Sequence, residues 1–157
     1  MSRNRLLRRI QHFPTRTHYN VRATAFAEAI LDSQTFSEED ATKIVNRVRL
    51  AFTRLLEGTA EPDHFITLGC AVNVATIRAE AIDPALVKIL QGAGSALMEC
   101  ERINDVHGRY GLTGPGRQRL AEGIDAYEAI LRASSPKQMQ LAETEVLRRL
   151  SAQRRPP

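Results

Sequence analysis

Between Ser37 and Gly58 the chain places Ala41, Ile44, Val45, Val48, Ala51, Phe52, Leu55 and Leu56 three and four residues apart, with Lys43, Arg47, Arg49 and Arg54 at the positions between. That spacing follows the turn of an α-helix and is incompatible with a strand, whose faces repeat every second residue. Ser37 is an N-cap, and Glu38, Glu39 and Asp40 put negative charge at the positive end of the helix dipole. The acid three residues beyond the cap is Asp40, so the capping box is incomplete. Gly58 supplies the C-terminal cap. Nowhere does the sequence sustain alternation at period two, and no Asn-Gly or Asp-Gly pair joins two β-branched runs. The expected fold is all-α.

Further helices follow from the same spacing. Val21, Ala25, Phe26, Ala29 and Ile30 predict a short helix over residues 21–31. A helix opens near Glu61-Pro62-Asp63, and its apolar residues Phe65, Ile66, Leu68, Cys70, Val72, Val74 and Ile77 cover both faces. A helix apolar all round is wrapped by neighbours, which makes this one the expected centre of the fold. Asp83-Pro84 is an N-cap with proline in the first turn, and a long helix follows to about His107. Gly92 and Gly94 inside it each cost about 1 kcal/mol relative to Ala, which predicts a close helix crossing or a kink there. The glycine-rich stretch 108–116 reads as a connection, followed by a helix from about Arg117 to Ala133 with Leu120, Ile124, Tyr127 and Leu131 buried. Ser135 and Gln138 match a capping box for a last helix, whose stripe is Met139, Ala142, Val146 and Leu150. Connections of about three to nine residues favour antiparallel neighbours. The prediction is a compact bundle of five to six helices over residues 21–150, with a basic arm at 1–20 and a basic tail at 151–157.

Aromatic residues make up 5% of the 157-residue chain and Trp is absent, so the core must be built from Ala, Leu, Ile and Val. Cys70 and Cys100 sit inside apolar helical patterns and imply no disulfide framework. Thr67, Asn73 and Thr76 interrupt the most apolar stretch, well short of the ~20 residues a bilayer requires, so no membrane span is expected. Leu6, Leu7 and Ile10 lie among arginines, which does not fit a secretory signal. The expected location is cytoplasmic, the host cytoplasm if a phage encodes the chain.

Charge is segregated along the sequence. Residues 1–22 contain Arg3, Arg5, Arg8, Arg9, Arg16 and Arg22 and no acid, and the C-terminal residues 148–157 add Arg148, Arg149, Arg154 and Arg155. All 18 Asp and Glu fall in the body between them. Arginine forks suit phosphate and carboxylate recognition, so Arg3, Arg5, Arg8, Arg9 and Arg16 are candidate contacts to a protein partner or to nucleic acid. A solvated tail, or one lying on the acidic body, is the alternative.

Few residues suggest chemistry. Arg109, Gly114, Gly116 and Arg117 at a helix start are a candidate anion site, although the Gly-Lys-Ser/Thr ending of a P-loop is absent. His12, His18, His64 and His107 have no metal-ligand spacing with one another or with the cysteines, so neither metal nor cofactor is expected. Cys100 and His107 are about 10 Å apart along a helix, too far for a nucleophilic pair. Asn73 is a polar group expected to be buried in the most apolar helix and to require partners there. Glu99, Glu101 and Asp105, with Glu122, Asp125 and Glu128, read as solvated helix faces or as an acidic patch for an Arg-rich partner.

The opening Arg3-Asn4-Arg5-Leu6-Leu7-Arg8 with Phe13-Pro14, and the segment Cys70-Ala71-Val72-Asn73-Val74-Ala75, resemble small helical proteins encoded by phages and plasmids of Gram-negative bacteria. The resemblance implies an accessory gene of a mobile element, a setting that includes anti-CRISPR inhibitors of host defence. With the charge pattern, it leads to the expectation of a non-enzymatic, protein-binding factor. A nucleic-acid-binding helical protein is the alternative, and a homodimer fits the residue 41–56 stripe as well as a core does.

Overall fold

The computed structural model describes residues 34–153. The predicted helix at 21–31, Arg3, Arg5, Arg8, Arg9 and Arg16 of the arm, and residues 154–157 lie outside the described residues. Within them the chain forms α1 (Glu38–Leu56), α2 (Pro62–Glu80), α3 (Pro84–His107), α4 (Gly114–Ala133) and α5 (Pro136–Ala152), with no strand. The all-α prediction holds. The last helix continues two residues past the expected boundary at 150.

Each helix starts where its capping chemistry dictates. Ser37 Oγ accepts from the Asp40 backbone N–H at 3.1 Å, and Asp83 Oδ1 accepts from Ala85 N–H at 2.8 Å. At α5 both halves of the capping box form: Ser135 Oγ accepts from Gln138 N–H at 3.2 Å, and Gln138 Oε1 accepts from Ser135 N–H at 2.9 Å. At α2 the Glu61 backbone N–H donates to His64 Nδ1 at 3.0 Å, giving that histidine a structural role. Proline occupies the first turn of α2, α3, α4 and α5, where its missing N–H costs nothing.

The start of α4 departs from expectation. Thr113 Oγ1 accepts from Gly116 N–H at 3.1 Å, so Thr113 is the N-cap and Gly114-Pro115-Gly116 form the first helical turn. What the sequence suggests is a loop reaching residue 116 ends at 113, because the threonine cap and the proline outweigh the low helix propensity of the glycines.

The most apolar helix, α2, packs against all four others, as its two-sided pattern predicts. Phe65 and Leu68 of α2, Leu90 of α3 and Leu120 of α4 are fully enclosed. Burying each such side chain contributes about 1.5–3 kcal/mol. Tyr110 of the α3–α4 connection stacks on Phe65 with ring centroids 4.9 Å apart, tying that connection to the core.

The most extensive contact joins α3 to α4. Its close approach is at Gly123, where an added Cβ would fall inside the side chain of Ala93. Gly92 and Gly94 flank Ala93, yet a Cβ at either would make only ordinary contacts, 3.8 Å to Arg119 and 4.0 Å to Val72. The predicted crossing exists, but the glycine it requires is on the partner helix.

Candidate binding groove

α1 and α5 both pack on α2 and leave an open groove between them. Its apolar floor and walls come from Ile44 and Val48 of α1, Ala71 and Val74 of α2, Tyr127 and Leu131 of α4, and Met139 of α5, with Phe36 at one end. The volume is about 490 Å³. Lys43 and Arg47 line the α1 side, with Asp40 among them, and Gln140 and Glu143 line the α5 side. Lys43 pairs with Glu39 one turn back at 2.5 Å. Arg47 and Glu143 form no ion pair with another described residue.

The groove contains a thiol and a phenol, and neither is poised for proton transfer at neutral pH. Burial pushes the Cys70 thiol up to about 12, with Glu143 adding to the rise. Burial likewise pushes the Tyr127 hydroxyl up to about 12, assisted by Cys70 and opposed by Arg47. In α3, burial raises Cys100 to about 11 despite a backbone hydrogen bond from Gly111 that favours the thiolate. A neutral thiol is a poor nucleophile. No group of three or more His, Cys, Asp or Glu among the described residues is placed to hold a metal ion. None of the described helices is long and apolar enough to cross a membrane.

Several expected sites change character. Asn73 is half-buried rather than enclosed, because it falls on an α2 position between the buried Val72 and Ala75 rows. Gly116 of the anion site already faces a carboxylate of the chain itself: Thr113 Oγ1 donates to Glu99 Oε2 at 3.4 Å, and that oxygen lies 3.7 Å from where a Gly116 Cβ would stand, whereas a Cβ on Gly114 would meet nothing within 4 Å. Arg109 and Arg117 are on a separate cavity beside the α3–α4 connection.

The acidic faces are largely engaged within the fold. Arg49 of α1 donates to Glu128 at 2.7 Å and Asp125 at 2.9 Å, and Arg132 donates to Glu128 at 3.0 Å and Glu38 at 2.7 Å. The arginines hold Glu128 below the usual carboxylate range, Arg49 contributing most. Arg119 reaches Glu99 at 3.4 Å, and Glu101 is buried. Asp105, Glu122 and Asp125 remain exposed, so the acidic faces stay solvated in part. The C-terminal arginines behave similarly: Arg149 forks onto both oxygens of Glu80 at 2.7 Å, and Arg148 and Arg149 both donate to Glu145.

The sequence does not reveal the groove because its lining comes from two pairs of helices, α1 with α2 and α4 with α5, that are separated by the whole of α3. Its only trace is the presence of more apolar residues on the 41–56 stripe and on α2 than one packing face requires. Comparison with protein families, curated proteins and solved structures finds no match to this chain.

Proposed function

We propose that this protein is a non-enzymatic binding module that holds an amphipathic helix of another protein in the groove between α1 and α5. The open apolar groove supports this reading, since a helix lays its apolar face into such a channel and is recognised by anchors three and four residues apart. The rim supplies orientation. Arg47 on the α1 side and Glu143 on the α5 side fit a segment with an acid along one edge and a basic residue along the other. The resemblance of the arm and the α2 segment to mobile-element proteins makes an inhibitor of a host defence system the proposed biological setting.

Binding to nucleic acid through the arginine-rich ends loses part of its basis, because Arg148 and Arg149 are paired to carboxylates. A photo-crosslinking residue in place of Val74 tests the proposal in cells. An adduct with an amphipathic helical segment of another protein is expected. Adducts confined to nucleic acid, or to a second copy of this chain, would reject it.

A further inference from the structure

A second cavity, about 450 Å³, lies where the C-terminal ends of α1 and α3 meet the α3–α4 connection and the start of α4. His107 of α3, Arg109 of the connection and Arg117 of α4 converge on it from three elements, while Leu56, Ile103 and Leu112 give it an apolar side. Arg109 and Arg117 are exposed and form no ion pair with another described residue. The one carboxylate of the lining, Glu57, is 3.4 Å from Arg54 of its own helix. Two helix C-termini oppose an anion here with about half a charge each, which the two guanidiniums exceed. Guanidinium forks match phosphate oxygens in pairs, and the cavity falls within the range of about 300–1,000 Å³ that holds small ligands.

We infer that this cavity binds a phosphate monoester carried on a flat aromatic body, with Arg109 and Arg117 on the phosphate and Leu56, Ile103 and Leu112 against the ring. A small aryl phosphate and a nucleoside monophosphate share that chemistry. The site is independent of the groove, which is lined by other residues, so either reading can fail without the other.

Titration calorimetry of the full chain with phenyl phosphate, adenosine monophosphate and inorganic phosphate tests the inference. Saturable binding of at least one of the two esters is expected, about tenfold tighter than inorganic phosphate, which lacks the ring. The preferred ester identifies the source. An Arg109→Ala/Arg117→Ala variant is expected to weaken binding about tenfold or more, as loss of two charge-assisted contacts requires. Should that variant misfold, a rise in the unfolding temperature of the unmodified chain with added ester, absent with inorganic phosphate, supplies the same answer. No saturable binding by either ester, or undiminished binding by a folded double variant, would overturn the assignment.

Discussion

Gly123 of α4 meets Ala93 of α3 so closely that a Cβ on the glycine would overlap the alanine side chain. This contact sets the separation of the two helices that share the largest interface in the fold. Gly123→Ala is therefore expected to force the helices apart and to cost about 1–3 kcal/mol, as overpacking of a close-packed interior does. Gly92→Ala, one residue from Ala93 but free of any tight contact, is expected to gain up to about 1 kcal/mol from helix propensity. Urea unfolding of the two variants measures both; equal effects would place the crossing elsewhere.

The ion pairs of α5 predict a pH dependence. Arg148 first, then Arg149, hold the Glu145 carboxyl at about 2 against an ordinary 4.5, and Arg149 lowers Glu80. A carboxyl with a depressed folded value binds protons more weakly in the native state, so its stabilisation is complete above 4.5 and declines as pH falls toward about 2. Stability is expected to fall across that acid window. A Glu80→Gln/Glu145→Gln variant should show a shallower decline there. Chemical denaturation at fixed salt and stepped pH is the measurement, and an identical slope in the variant would remove these pairs from the explanation.

Cys70 and Cys100 are the only cysteines in the chain. With values raised from 9.0 to about 12 and about 11, their thiolate populations at neutral pH drop by about a hundredfold or more. Disulfide-exchange reagents such as DTNB are expected to label the native protein slowly at pH 7 and both thiols rapidly after unfolding. Fast labelling of Cys70 in the native state would show that the groove is wetter than its apolar lining implies.

Local chemistry made most of the helix boundaries legible. Ser37, Asp83 and Ser135 announce α1, α3 and α5 because caps act over three residues and proline has a defined place in the first turn. Thr113 was harder to read, since Gly114 and Gly116 mask a helical turn that a single hydroxyl starts. His64 resembles a stray titratable group until its ring is seen accepting from Glu61 N–H. Long-range pairs such as Arg49 with Glu128 are invisible in one dimension: each looks like an ordinary solvated side chain on its own helix. The groove is hidden for the same reason, since neither the stripe on α1 nor that on α5 reveals that they do not close on each other.

The proposed working surface is the groove between α1 and α5. Its direct test uses the partner segment captured at Val74, made as a peptide and titrated against the unmodified chain and an Arg47→Glu/Glu143→Lys variant. Both positions sit on the rim and outside the packed core, so the variant should unfold at nearly the same denaturant concentration. Reversing both rim charges is expected to weaken the peptide by about tenfold or more, because each edge of the segment then meets its own sign. Unchanged affinity in the charge-reversed variant would contradict the account.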